Sequence, residues 1–163
     1  MIKIQIPATS ANLGAGFDAL GLALTYYNYI EMEECDKIDI TAADGLDIPT
    51  DERNLIYISA KDLFAVCGKK LEGLKLIQTS NIPMARGLGS SSACIIAGLV
   101  GANKMLGDPL TKDDLVDLAA QIEGHPDNTA PALLGGIVTA VFDGRKVHLS
   151  LIHISEPTRH AQI

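Results

Sequence analysis

The chain has 163 residues, 47% of them hydrophobic, 20% charged and 4% aromatic, which suits one compact domain with a single core. A formal charge of −7 without any cluster of Lys or Arg argues against a nucleic-acid partner, and no apolar run reaches membrane-spanning length. Cys35, Cys67 and Cys94 are odd in number, far apart and lack CxxC spacing, so they read as reduced core residues and not as a disulfide or zinc framework.

In chain order, Met1 to Ile6 alternates apolar and polar residues, which predicts a strand with Ile2, Ile4 and Ile6 on one face and not a signal peptide. The expected location is therefore the cytoplasm. Pro7 to Gly21 is rich in small residues and reads as a ligand-facing loop, followed by strand-like sequence over Leu22 to Met32. After Asn54, the spacing of Ile56, Ala60, Leu63, Phe64 and Cys67 predicts a helix ended by Gly68. Leu74 to Thr79 predicts a short strand. Ser90 to Leu106 predicts a helix apolar almost all round, hence buried on most sides. Thr111 with Asp114 resembles a capping box ahead of the apolar stripe Leu115, Leu118, Ala119 and Ile122, and Gly124 caps that helix after Glu123. Gly136 to Phe142 reads as a strand, with Asp143-Gly144 turning into Val147-His148-Leu149.

Three blocks carry chemistry. In Pro83-Met84-Ala85-Arg86-Gly87-Leu88-Gly89-Ser90-Ser91-Ser92-Ala93, the glycines allow close backbone approach at the start of the buried helix. The first amides of that helix have no intrahelical partners and point at whatever anion sits in the loop. Three serines in succession suit phosphate oxygens or a magnesium shell better than packing. The block is neither a Walker A loop nor the GxGxxG fingerprint of dinucleotide folds. In Pro7 to Asp18, small residues surround one amide, Asn12, and one carboxylate, Asp18. These could pair an amino acid's polar groups, or form an Asx-turn and a cap. In Glu123 to Ala132, a carboxylate, an imidazole, a second carboxylate and an amide occupy six positions. Glu123 faces the negative end of its helix dipole, which a cation would relieve; a solvent-exposed Glu is the plain alternative.

PxxxGLGSS matches the signature of the GHMP kinases, and PATSANLGxGFD resembles their homoserine kinase branch. The resemblance, over residues 1–150, implies an α+β fold like domain 2 of ribosomal protein S5, a mixed β-sheet with helices on one side. It implies ATP and Mg2+ as cofactors, with L-homoserine phosphorylated on its side-chain hydroxyl on the route to threonine. Pro83, Arg86, Gly87, Leu88, Gly89, Ser90, Ser91 and Ser92 would then hold the ATP phosphates, and Ser91 and Glu123 the metal. Asn12, Asp18, His125, Asp127 and Asn128 would contact the substrate, with Asp127 positioning the hydroxyl first and acting as a base second. Asn54, in Asp51 to Ile56, would border the adenine or else cap its helix. The spacing from Glu123 to His125 is shorter than family members often have. A homodimer is one expected assembly.

Leu151 to Ile163 breaks the preceding pattern and resembles translated sequencing-adapter read-through, so 151–163 is expected to be a non-native tail, with a real strand and polar tail as the alternative. The family's C-terminal domain is expected to be absent. Two further readings stay open: an inactive nucleotide-binding fragment, or a GHMP kinase for another small hydroxyl substrate.

Overall fold

The computed structural model describes residues 1–153. Six strands, β1 (Ile2–Ala11), β2 (Leu20–Glu34), β3 (Ile38–Ala42), β4 (Leu74–Thr79), β5 (Ile137–Phe142) and β6 (Val147–His153), form one sheet. Four helices accompany them: α1 (Leu55–Val66), α2 (Ser90–Met105), α3 (Lys112–Glu123) and α4 (Thr129–Leu134). β2 is the spine, pairing β1 along one edge and, along the other, β4 with its lower half and β5 with its upper. Only β3 and β4 run parallel, joined through α1, so the sheet is mixed, as expected.

Register explains which face the helices cover. Ile4, Ile30 and Gln78 lie side by side across β1, β2 and β4, and Ile2, Met32, Leu76 and Ile40 form the next row. Ile4, Ile30, Met32 and Leu76 on that face are at most 2% exposed. The opposite face alternates to polar residues and carries the Lys3–Glu31 and Lys75–Glu33 ion pairs. α2 lies across the buried face with α1 beside it, and Phe64, Leu63, Ile95, Ile96 and Leu99 fill the interface. Each such side chain contributes about 1.5–3 kcal/mol by leaving water. Gly98 lets α2 approach α1: a Cβ there would meet the Ile56 carbonyl and Ser59.

The helices predicted after Asn54, at Ser90 and after Thr111 are all present, the last with both halves of its capping box formed. Three elements differ. β1 runs on through Ala11 where a loop was expected, because Pro7 sits on an edge strand that asks no N–H of it, and the pairing shifts register between Pro7 and Thr9. β3 and the six-residue α4 were not foreseen. The three cysteines are free but only partly buried, at the margin of the core and not within it. β6 continues to His153, three residues into the stretch expected as a tail; the remainder of that expectation, 154–163, lies outside the described residues. No helix among the described residues is long and apolar enough to cross a membrane.

Candidate active site

Two loops and two helix ends meet at the top of α2. The loop before α2 turns through three left-handed residues, Ala85 (φ 55°), Gly87 (φ 69°) and Gly89 (φ 64°). Gly89 is the N-cap of α2, and no side chain caps that end. The amides of its first turn thus stay open, with the positive end of a 16-residue dipole behind them. Pro83, Arg86 and Gly87 are exposed on the loop, while Leu88 packs against the core and its carbonyl accepts from the Thr9 N–H at 3.1 Å. The loop is therefore pinned to the free edge of β1.

Glu123, the last residue of α3, lies against the same helix end: Oε2 accepts from the Ser91 hydroxyl and Oε1 from that of Ser92, both at 3.2 Å. Its poor position on α3 is offset by the favourable end of α2. Ser92 was expected among the phosphate ligands, but at 1% exposed its hydroxyl is sealed against Glu123, whereas Ser91, which makes the same bond, is exposed and Ser90 is half-buried.

Beside them, the buried Asp127 is the hub of a polar network whose other members reach the surface. Its side chain is 0% exposed. Oδ2 accepts from Asn12 Nδ2 at 3.1 Å, and Oδ1 faces His125 Nδ1 and, at 3.5 Å, Asn128 Nδ2. With both oxygens engaged and no solvent access, Asp127 holds its neighbours in place and is poorly set to take a proton, so the expected secondary role as base is not what the geometry favours. An ionised carboxylate only accepts, so His125 Nδ1 donates, on a side chain 43% exposed. Asn12 is left-handed (φ 59°), and its Oδ1 accepts from the Asp18 N–H at 2.8 Å, closing the loop between β1 and β2. Asp18, also left-handed (φ 52°), presents an exposed carboxylate with no hydrogen bond or ion pair among the described residues.

Sequence reasoning missed Thr9. It is fully buried, and its Oγ1 donates to Asn128 Oδ1 at 2.8 Å while its N–H holds the phosphate loop. A Cβ on Gly89 would collide with that hydroxyl and crowd Asn128. Gly21 is the matching close approach on β2, where a Cβ would strike the Asp127 carbonyl. All three sequence blocks thus interlock at Thr9, Gly89 and Asn128.

A cavity of about 290 Å³ opens beside the loop, between Leu46, Ile48 and Pro49 on one wall and Gln78, Ser90, Ser91 and Cys94 on the other. Asn54 borders it, but its amide is consumed: Oδ1 accepts from the N–H groups of Ile56 and Tyr57, and Nδ2 donates to the Pro49 carbonyl. It is a helix cap in the cavity wall and not a group free to read a ligand. Asp44 latches the outer wall by accepting from the N–H groups of Ser80 and Leu46, which hold its carboxyl below the usual carboxylate range. Burial, with the nearby Glu123 carboxylate, pushes the Cys94 thiol up to about 11.

Residues 54–136 match the model of the GHMP kinases N-terminal domain, about half of the chain, including the phosphate loop and Glu123 to Asn128. The chain belongs to the GHMP kinases. Among curated GHMP relatives, it is 48% identical over 159 residues to a homoserine kinase of Carboxydothermus hydrogenoformans, covering 96% of this chain and 52% of that one. Against a homoserine kinase of Clostridium acetobutylicum it is 44% identical over 163 residues, covering 99% of this chain and 55% of that one. A crystal structure of a homoserine kinase from Cytophaga hutchinsonii superposes with a TM-score of 0.75 at 32% identity, covering 90% of this chain and 50% of that one. A crystal structure of a mevalonate kinase, at 19% identity and a TM-score of 0.72 over 94% of this chain and 56% of that one, shares the fold. The GHMP chain described here spans about half the length of the curated relatives it matches.

Proposed function

We propose that this chain carries the ATP-binding half of a cytoplasmic homoserine kinase, which transfers the γ-phosphoryl group of ATP to the side-chain hydroxyl of L-homoserine and yields O-phospho-L-homoserine and ADP, on the route to threonine. The observation that carries the reading is the uncapped N-terminus of α2, opening beside the Asp127 network. The names and identities of the relatives support the choice of substrate.

The triphosphate lies along Gly87 to Ser91, its charge met by the first amides of α2 and by Arg86. Glu123 and Ser91 present a carboxylate and a hydroxyl, an all-oxygen pair of the kind Mg2+ takes alongside phosphate oxygens and waters, so the residues fit the ion. When bound, the ion would neutralise charge on the transferring phosphoryl group. Asp18 pairs the substrate ammonium, while Asn12 and Asn128, fixed by Asp127 and Thr9, orient the amino acid. In the transfer the substrate oxygen bonds to phosphorus, the bond to the β,γ-bridging oxygen breaks, and the hydroxyl proton leaves through His125 Nε2 or to water. Positioning and electrostatics supply most of the rate in such a loose transition state.

Coupled ADP release tests the reading. L-Homoserine should stimulate release from the chain, and Glu123→Ala should abolish the stimulation. Equal stimulation by mevalonate or galactose would sink the substrate assignment. ATP binding without turnover would support the second reading, a nucleotide-binding fragment.

A further inference from the structure

The cavity next to the phosphate loop holds an amide placed to read a ligand, and it is not that of Asn54. Of the side chains bordering it, Asn54 has its oxygen taken by the cap and its amide tied to Pro49, Arg53 is exposed and paired with Asp51, and Ser90 and Ser91 belong to the phosphate end. Gln78 remains. It sits on the helix-facing side of β4, 5% exposed, between Ser80 and Cys94. Its Nε2 donates to Ser80 Oγ at 2.7 Å and approaches Cys94 Sγ at 4.0 Å. No donor among the described residues reaches Oε1. Nor is that oxygen sealed, since Thr129 Oγ1 is the one sealed side-chain polar atom without a partner among the described residues. A nearly buried carbonyl without a donor of its own therefore opens onto a largely apolar slot whose rim, Leu46 and Met84, is 40% and 56% exposed. Such a rim is what a flat heterocycle would cover.

Resting on the proposed use of a nucleoside triphosphate, we propose that Gln78 selects the base by its six-position. Oε1 accepts a hydrogen bond from an exocyclic amine, as adenine carries, and confronts the carbonyl of a 6-oxopurine with a second acceptor. A site built around an unshared acceptor discriminates mainly by what it leaves unpaired.

The test is the affinity of the chain for Mg-ATP, Mg-ITP and Mg-GTP, measured by calorimetry in the wild type, Gln78→Met and Gln78→Asn. ITP differs from ATP along the edge that meets Gln78, with a 6-oxo group and an N1–H in place of the 6-amino group and the bare N1, and it lacks the guanine 2-amino group, so it separates this edge from any reading of that group. Wild type should prefer ATP over ITP by about tenfold, and both variants should bring the ratio to within about twofold. A merely structural role for Gln78 would weaken both nucleotides equally and leave the ratio unchanged, which overturns the proposal, as does a wild type without preference. In both cases ATP still binds and the kinase reading stands. A wild type that binds none of the three overturns both. Gln78→Asn withdraws the carbonyl while keeping an amide in the core, so it carries the test if Gln78→Met does not fold.

Discussion

Gly89 offers a way to separate backbone strain from the interlock it guards. Gly87 and Gly89 lie in one loop with nearly equal φ, 69° and 64°, yet a Cβ on Gly87 would meet nothing within 4 Å, whereas one on Gly89 would land on Thr9 Oγ1 and press Asn128. Alanine at either position costs about 1–2 kcal/mol for its left-handed backbone. Stiffening of the unfolded chain returns about 0.4–1 kcal/mol of that. Gly87→Ala should therefore destabilise by no more than about 1.6 kcal/mol. Gly89→Ala must also displace Thr9 from Asn128, losing the hydrogen bond of a buried hydroxyl, for a total of about 2–3 kcal/mol. At a urea slope of about 1–3 kcal/mol per molar, the Gly89 variant should unfold about 1 M earlier than the Gly87 variant. It should also bind ATP more weakly, because the α2 amides shift with the loop. Urea midpoints and nucleotide titrations on the two variants check this. Equal midpoints and equal affinities would refute the claim that Gly89 is where the phosphate loop meets the substrate turn.

Asp127→Ala leaves the Asn12 amide and His125 Nδ1 without their partner, so it should cost roughly 3 kcal/mol in urea unfolding, and more than Asp18→Ala, whose exposed carboxylate should affect substrate KM and hardly stability. Asn54→Ala removes a cap and the tie to Pro49, for a loss of about 1–2 kcal/mol by the same measurement. The carboxyls of Asp44, Asp114 and Asp143 are held low by hydrogen bonds from Ser80, Thr111 and Lys146 respectively. Depressed folded values stabilise above the unfolded carboxylate range and lose that stability as pH falls through them. Thermal melts should thus be flat from about pH 7 to 5 and decline below about 4, and Asp44→Asn should reduce the slope. With its thiol raised to about 11, Cys94 should be the last cysteine alkylated by iodoacetamide at pH 8, read by mass spectrometry.

The long-period features were legible in the residues. α2 announced itself by apolar residues on every side, α3 by its capping box, and the β5–β6 turn by Asp143-Gly144, whose Oδ1 accepts from Arg145 and Lys146. What depended on pairing partners distant in sequence was not. β3 is five residues long and becomes a strand by lying parallel to β4 after the α1 crossover, and β1 passes Pro7 because that strand lies on an edge. The site divides in the same way. The motif blocks named Asn12, Glu123, His125, Asp127 and Asn128, and the structure brings them together around α2. Composition could not tell which polar atoms are consumed internally: Ser92 by Glu123, Asn54 by its own helix, both oxygens of Asp127 by its neighbours. Thr9 read as one small residue among several because its partners, Leu88 and Asn128, lie far along the chain.

The most direct test of the account is calorimetric titration of ATP into the wild-type chain and into Glu123→Ala, each with and without Mg2+. Saturable binding in the wild type that strengthens at least tenfold with Mg2+, and loses that dependence in Glu123→Ala, is the predicted result. Absence of ATP binding, or a Mg2+ dependence unchanged by the substitution, would contradict the placement of the triphosphate and its ion at the α2 N-terminus.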